Sequence, residues 1–121
     1  MADIQSATFV LSVVDLEASV RFYVEKLGFT ETLRVPGWSF LRRGACVLRL
    51  GDCPGTQPMS QCQDHAWFAY LNVTDAAALF EEFVIQGVEI WHPLDRKPWG
   101  MIEFAIVTPD GHRIVFGEIL T

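Results

Sequence analysis

Basic residues are scarce in this chain. Nine lysines and arginines stand against fifteen acids, a formal net charge of −6. Nucleic-acid binding needs a basic footprint to displace counterions from phosphate, so this balance argues against it. It permits a cationic ligand, although an acidic surface serves solubility just as readily. Cysteine is equally sparse: Cys46, Cys53 and Cys62 are odd in number and lack CxxC spacing, which fits reduced thiols. Cys46 falls in an apolar stretch and reads as a small core hydrophobe, while Cys53 and Cys62 flank a loop with no further zinc ligands nearby. His65, His92 and His112 share no close ligand spacing and read as surface or turn residues. Ser12, Ser19, Ser39 and Ser60 lack the Gly-x-Ser-x-Gly elbow of a nucleophilic serine. No apolar run approaches the ~20 residues of a membrane helix. The start, Met1-Ala2-Asp3-Ile4-Gln5, has neither a basic segment nor an apolar signal core. A cytoplasmic location is the expectation.

What is present is a repeat. Ala7-Thr8-Phe9-Val10-Leu11-Ser12-Val13-Val14-Asp15 runs into Leu16-Glu17-Ala18-Ser19-Val20-Arg21-Phe22-Tyr23. At an offset of about 60 residues, Trp67-Phe68-Ala69-Tyr70-Leu71-Asn72-Val73-Thr74-Asp75 runs into Ala76-Ala77-Ala78-Leu79-Phe80-Glu81-Glu82-Phe83. Val13 meets Val73, Asp15 meets Asp75, Ala18 meets Ala78 and Tyr23 meets Phe83. Each copy is an alternating strand, an aspartate and an amphipathic helix stopped by a glycine, Gly28 or Gly87, with Asp15 capping the first helix and Thr74 or Asp75 the second. Half of the residues are hydrophobic, enough for a core in one domain of this length. The expectation is a single domain over residues 1–121, with module one near 5–51, a linker near 51–64 and module two near 65–120. A cavity between paired modules would be the place for function.

Periodicity fills in the elements. A first strand is expected over residues 6–14, then a helix buried through Leu16, Val20, Tyr23, Val24 and Leu27. Residues 29–35 read as a strand, Pro36-Gly37 as a turn, and 38–42 with 45–50 as a hairpin around Arg43-Gly44. In module two, Ala76, Leu79, Phe80, Phe83 and Val84 form the buried stripe, with Glu81 and Glu82 in solvent. A strand near residues 88–92, a polar loop over 93–100 and a closing hairpin around Pro109-Asp110-Gly111 complete the copy. Each module is strand, helix, then three strands, an α+β arrangement.

These residues resemble the vicinal oxygen chelate superfamily, which includes glyoxalase I, extradiol dioxygenases and bleomycin-resistance proteins. The resemblance rests on the segment from Val13 through Asp15 to Phe22-Tyr23, on Leu27-Gly28-Phe29, and on Thr108-Pro109-Asp110-Gly111-His112. Pro98-Trp99-Gly100 ahead of Glu103-Phe104 is most similar to the bleomycin-resistance branch. The resemblance implies two βαβββ modules forming a paired, curved mixed sheet with helices on the convex face. It implies a concave site, where the enzymes hold a metal through one residue from the first and last strand of each module. The matching positions here are Thr8, Arg49, Phe68 and Val115. Phenylalanine and valine have no lone pair to offer, arginine is a fixed cation, and a lone threonine hydroxyl is a poor ligand. No metal or other cofactor is therefore expected.

Strand alternation from those positions gives the expected inward set. Thr8, Val10 and Ser12 come from the first strand; Val47 and Arg49, with either Trp38 and Phe40 or their neighbours, from the hairpin; Phe68, Tyr70 and Asn72, with Arg113 and Val115, from module two. Trp67, Ala69, Leu71, Ile114 and Phe116 should pack under the helices. Trp91 is expected in a core strand, and Trp99 either overhanging the groove or at a subunit interface. Glu103 stands as a partner for a ligand cation, with Arg42, Arg49 and Arg113 opposing it. The expected function is metal-free binding and sequestration of a small molecule, such as an antibiotic, by a homodimer without nucleic-acid or membrane partners. The ligand-binding residues are then Thr8, Trp38, Phe40, Arg49, Phe68, Tyr70, Trp99, Glu103, Arg113 and Val115, with no catalytic residue. The alternatives are a glyoxalase-type metal-dependent lyase or dioxygenase, or a metal-independent enzyme on the same scaffold.

Overall fold

The computed structural model describes residues 2–62 and 66–121, so His65 lies outside the described residues. The chain divides into two compact units, Met1–Gln57 and Pro58–Thr121. In unit 1, β1 (Phe9–Val13) leads into α1 (Leu16–Arg21), followed by β2 (Thr30–Val35), β3 (Trp38–Arg43) and β4 (Cys46–Asp52). Unit 2 repeats the order with β5 (Trp67–Asn72), α2 (Ala76–Ile85), β6 (Glu89–Lys97), β7 (Met101–Val107) and β8 (Arg113–Ile119). Each unit thus carries the expected βαβββ sequence of elements. The sheets are ordered β1-β4-β3-β2 and β5-β8-β7-β6. In each, the first strand pairs in parallel with the last and the remaining pairs are antiparallel. No helix of the described residues is long and apolar enough to cross a membrane.

The two aspartates act alike. The Asp15 carboxylate accepts from the Ala18 backbone N–H at 3.1 Å, and Asp75 accepts from Ala78 at 3.0 Å, each satisfying one orphan donor of a helix start. A last-strand acid reinforces each cap: Asp52 accepts from the Leu16 N–H at 3.2 Å, and Glu118 from that of Ala76 at 3.0 Å. The first helix then widens into a π-helical turn over Phe22–Lys26. This change of pitch leaves Leu16, Val20, Tyr23 and Leu27 buried but Val24 exposed, correcting the expected stripe. Val84 of α2 is likewise exposed.

One face of each sheet lies under its helix. In unit 1 that face carries Leu11, Val13, Leu41, Leu48 and Leu50, all buried. In unit 2 it is an aromatic cluster. Phe104 stacks on Phe116 with centroids 5.0 Å apart, and Phe83 meets both rings edge-on. Such pairings add about 0.5–1.5 kcal/mol each beyond the area they bury.

The expected polar loop over residues 93–100 is instead mostly strand. β6 continues through Pro93 to Lys97, with irregular pairing between Ile90 and Asp95, and only residues 98–100 turn. Proline is tolerated because β6 ends its sheet, where a missing N–H need not break a ladder. Pro93 had disguised an edge strand as a loop.

His112 stands at the expected turn but is buried rather than at the surface. It closes the Pro109-Asp110-Gly111 turn, donating its N–H to Thr108 Oγ1 at 3.1 Å, while its Nδ1 has no hydrogen-bond partner among the described residues. Burial lowers the imidazole pKa, a shift the negative Asp110 partly offsets. The unfolded chain, with an ordinary His pKa of about 6.5, then binds a proton that the folded chain resists. This contribution to stability is present above the ordinary value and is lost as pH falls through the depressed folded value. Urea midpoints at about pH 7.5 and about pH 5.5 should therefore drop more for the wild type than for His112→Gln. Equal drops would show that His112 is not responsible.

Candidate functional site

In unit 2 the sheet face away from α2 gathers polar and aromatic groups. Tyr70 lies opposite Val115, which pairs with Ala105 on its other side, and Glu103 lies opposite Gly117. Glu103 is only 8% exposed. Its Oε2 accepts the Tyr70 hydroxyl at 2.6 Å and the Trp99 indole N–H at 2.8 Å. Among the described residues no cationic group pairs with it. Asp95 stands opposite Glu103 on β6, but its charge is directed to Lys97, 3.6 Å away. The outcome is a carboxylate held by two neutral donors, beside a second acid and two aromatic rings. Such a group favours a cation that is itself partly desolvated.

Two backbone choices build this arrangement. Gly100, with a φ of 83°, turns the chain between β6 and β7 and brings Trp99 back over Glu103. Gly117 leaves room for the phenol: a Cβ there would lie 2.6 Å from Tyr70 Cζ. Glycine inside a strand signals such a close approach, a cue that sequence reasoning had not used. Tyr70 itself is pushed up to about 12 by desolvation, then by its hydrogen bond to Glu103 and the charge of that group.

In unit 1 the face away from α1 brings Trp38, Phe40 and Arg49 together, as expected. Arg49 pairs with Phe40 on β3 and Val10 on β1, and its guanidinium lies 4.1 Å from the Trp38 ring centroid. Thr8 precedes β1 and is exposed. A separate open depression of about 730 Å3 near the start of α1 includes Asp15, Glu17, Arg34 and Asp52. Its charges are already engaged, since Asp15 and Asp52 cap α1 and Arg34 pairs with Glu17 and Glu31.

The remaining expected residues are placed differently. A pairing irregularity between Trp67 and Ala69 falls on Phe68, whose ring meets His112 edge-on at 5.5 Å. The same irregularity puts Trp67 opposite Arg113, on the Tyr70 face, and 39% exposed. This corrects its expected burial under α2. Trp91 is also exposed rather than core. Its ring lies 3.9 Å below the Arg113 guanidinium, with Trp67 at 5.3 Å. Arg113 is thus held by two tryptophans at the end of the face.

The strand positions that the family resemblance marks for metal offer no donor set. They are a threonine outside the sheet, a ring-stacked guanidinium, a phenylalanine and a valine. Among the described residues no three His, Cys, Asp or Glu side chains gather as a metal-holding group.

Glu103→Gln should lower the Tyr70 phenol from about 12 while leaving it above an ordinary tyrosine, because its hydroxyl end stays partly desolvated against Gly117. Gly117→Ala should do likewise by displacing the ring from Glu103. A spectrophotometric phenolate titration, with Tyr70→Phe to assign the signal, checks both. Unchanged midpoints in both variants would refute the coupling.

A family model, Glyoxalase/Bleomycin resistance protein/Dioxygenase superfamily, matches residues 5–116. The chain is similar to a bleomycin-binding protein from bleomycin-producing Streptomyces verticillus, solved with copper(II)-bleomycin. Identity is 27%, coverage 100% of this chain and 99% of that one, and the TM-score 0.74. It is similar to a bleomycin resistance determinant encoded on the transposon Tn5, at 27% identity, 98% coverage of both chains and a TM-score of 0.77. It shares the fold of TioX from Micromonospora sp. ML1, at 23% identity, 96% and 99% coverage and a TM-score of 0.80. No curated protein matches the chain.

Proposed function

The chain belongs to the glyoxalase/bleomycin resistance protein/dioxygenase superfamily, and from that premise we propose that it binds and sequesters a small molecule carrying a cationic group and a planar ring. The family-model match runs across both units, which supports treating residues 1–121 as one functional domain. The observation that carries the proposal is Glu103: buried, held by Tyr70 and Trp99, and without a cationic partner among the described residues. An incoming ammonium or amidinium supplies the missing charge, and the Trp99 ring, 63% exposed, offers a stacking surface. Two relatives at 27% identity are named for bleomycin binding or resistance, which supports an antibiotic as the ligand. Sequestration needs no bond to break and no metal held by the protein. The family resemblance carries a homodimer into this reading, and the proposed setting is the cytoplasm.

Titration with copper-loaded bleomycin, followed by tryptophan emission, tests it. The wild type should respond saturably, and Glu103→Gln should weaken binding about ten-fold or more, the scale of one charge-assisted contact. No response to bleomycin or other planar cationic drugs would sink the proposal. Stoichiometric Zn, Ni, Fe or Mn in protein purified without chelators would favour the glyoxalase-type lyase or dioxygenase instead.

A further inference from the structure

The segment that connects the two units is fastened at each end. On the unit 1 side the Cys53 N–H donates to the Val13 carbonyl at 2.8 Å; on the unit 2 side the Ser60 N–H donates to the Asp110 carbonyl at 3.2 Å. Around Ser60 the chain makes one 3-10 turn, Met59–Gln61, closed by the Gln61 N–H to Pro58 and the Cys62 N–H to Met59. This strap lies backbone against backbone on the Pro109-Asp110-Gly111 turn. A Cβ at Gly111, whose φ is 87°, would stand 2.1 Å from Ser60 N and 2.5 Å from its Cα, so only glycine allows the contact. Connections between strands ordinarily lie in solvent, yet Thr108, Asp110 and His112 are all buried.

His112 is the group at this turn that can change its charge near neutrality. It is 5% exposed, and its Nδ1 lacks a hydrogen-bond partner among the described residues. Protonation places a further N–H donor and a full charge in that space. The described groups around it offer little in return. β5 brings the neutral Phe68, and Thr108 a hydroxyl already bonded to the His112 backbone N–H. Asp110 brings a negative charge that only partly offsets the effect of burial. Residues 58–62 carry no charged side chain, and the Cys62 thiol is directed to the Pro58 carbonyl at 3.8 Å. Arg113, next in the chain, is held over Trp91 and Trp67. An imidazolium here gains hydration only when water reaches the turn. The 3-10 turn is the element that can lift to admit it without breaking a sheet ladder.

We infer that residues 58–62 form a proton-operated latch: the strap stays seated on Gly111 while His112 is neutral, and lifts when His112 is protonated. Lifting frees the unit 2 end of the connecting segment and leaves β5 to β8 paired. The sign follows from burial. An imidazole that resists protonation when the latch is closed, and takes it up with an ordinary pKa of about 6.5 when open, favours the open form as pH falls. Between about pH 7.5 and about pH 5.5 the opening constant then rises by up to about ten-fold.

Hydrogen exchange of the full chain, followed by NMR and corrected for the intrinsic rate at each pH, tests the latch. Protection of the Ser60 amide should fall at least three-fold between those two pH values in the wild type. The Val88 amide, bonded to the Phe83 carbonyl at the end of α2, should fall less than three-fold. His112→Gln should hold the change at Ser60 below three-fold, and His112→Phe serves equally if the glutamine variant does not fold. Gly111→Ala should leave Ser60 weakly protected at both pH values, because its Cβ displaces the strap. A wild-type fall at Ser60 of less than three-fold overturns the inference. So does a fall at Val88 as large as that at Ser60, which would mean unfolding of the whole unit. A folded His112 variant that keeps the three-fold fall overturns it too, as does wild-type protection of Ser60 in Gly111→Ala. None of these measurements involves a ligand, so the Glu103 reading stands or falls separately.

Discussion

A single helix can cover only one face of a four-stranded sheet, and each unit of this chain has one helix of that kind. Strand alternation sends the large aliphatic and aromatic residues under the helix: Leu41, Leu48 and Leu50 in unit 1, Phe104, Ile114 and Phe116 in unit 2. The opposite faces are left for residues that burial alone does not demand. Arg49, Glu103, Tyr70 and Arg113 all stand there. The two arginines keep part of their electrostatic support from the tryptophan rings beside them, and Glu103 keeps its own through the Tyr70 and Trp99 donors.

The two units use the same scaffold with different chemistry. The aspartate caps and the second acid supplied by the last strand recur almost atom for atom. So does a glycine on the last strand beneath a flat side chain, Gly51 under Trp38 and Gly117 under Tyr70. What differs is the groups they carry. Unit 1 stacks a guanidinium, Arg49, on Trp38, whereas unit 2 holds a carboxylate, Glu103, between Tyr70 and Trp99 and stacks a guanidinium, Arg113, on two tryptophans farther along the same face.

Most of the scaffold was legible because its signals are local. Asp15 and Asp75 announce helix starts, Gly28 and Gly87 announce stops, and apolar alternation marks β1, β4, β7 and β8. The errors arose where the period changes without a local mark. The π-helical turn after Arg21 exposes Val24, and the irregularity at Phe68 reverses Trp67. Trp38, Phe40 and Arg49 were found together because β3 and β4 alternate cleanly. The Tyr70–Glu103–Trp99 group was named residue by residue, but its hydrogen bonds depend on the turn at Gly100 and the gap above Gly117. His112 stands at the expected turn, but its burial was not legible because it comes from Phe68 and the turn it closes, contacts that no spacing rule encodes.

The interrupted course of β6 bears on a different matter. A terminal strand with regular pairing offers its free backbone edge to any other extended chain, and proteins of this size aggregate by that route. Pro93 and the broken register between Ile90 and Asp95 deny a second molecule a continuous ladder. If the chain sequesters its ligand mole for mole, as proposed, it must accumulate to match the dose. An edge that cannot template its neighbours would then raise the concentration at which the chain stays unaggregated, and with it the amount of ligand it can hold.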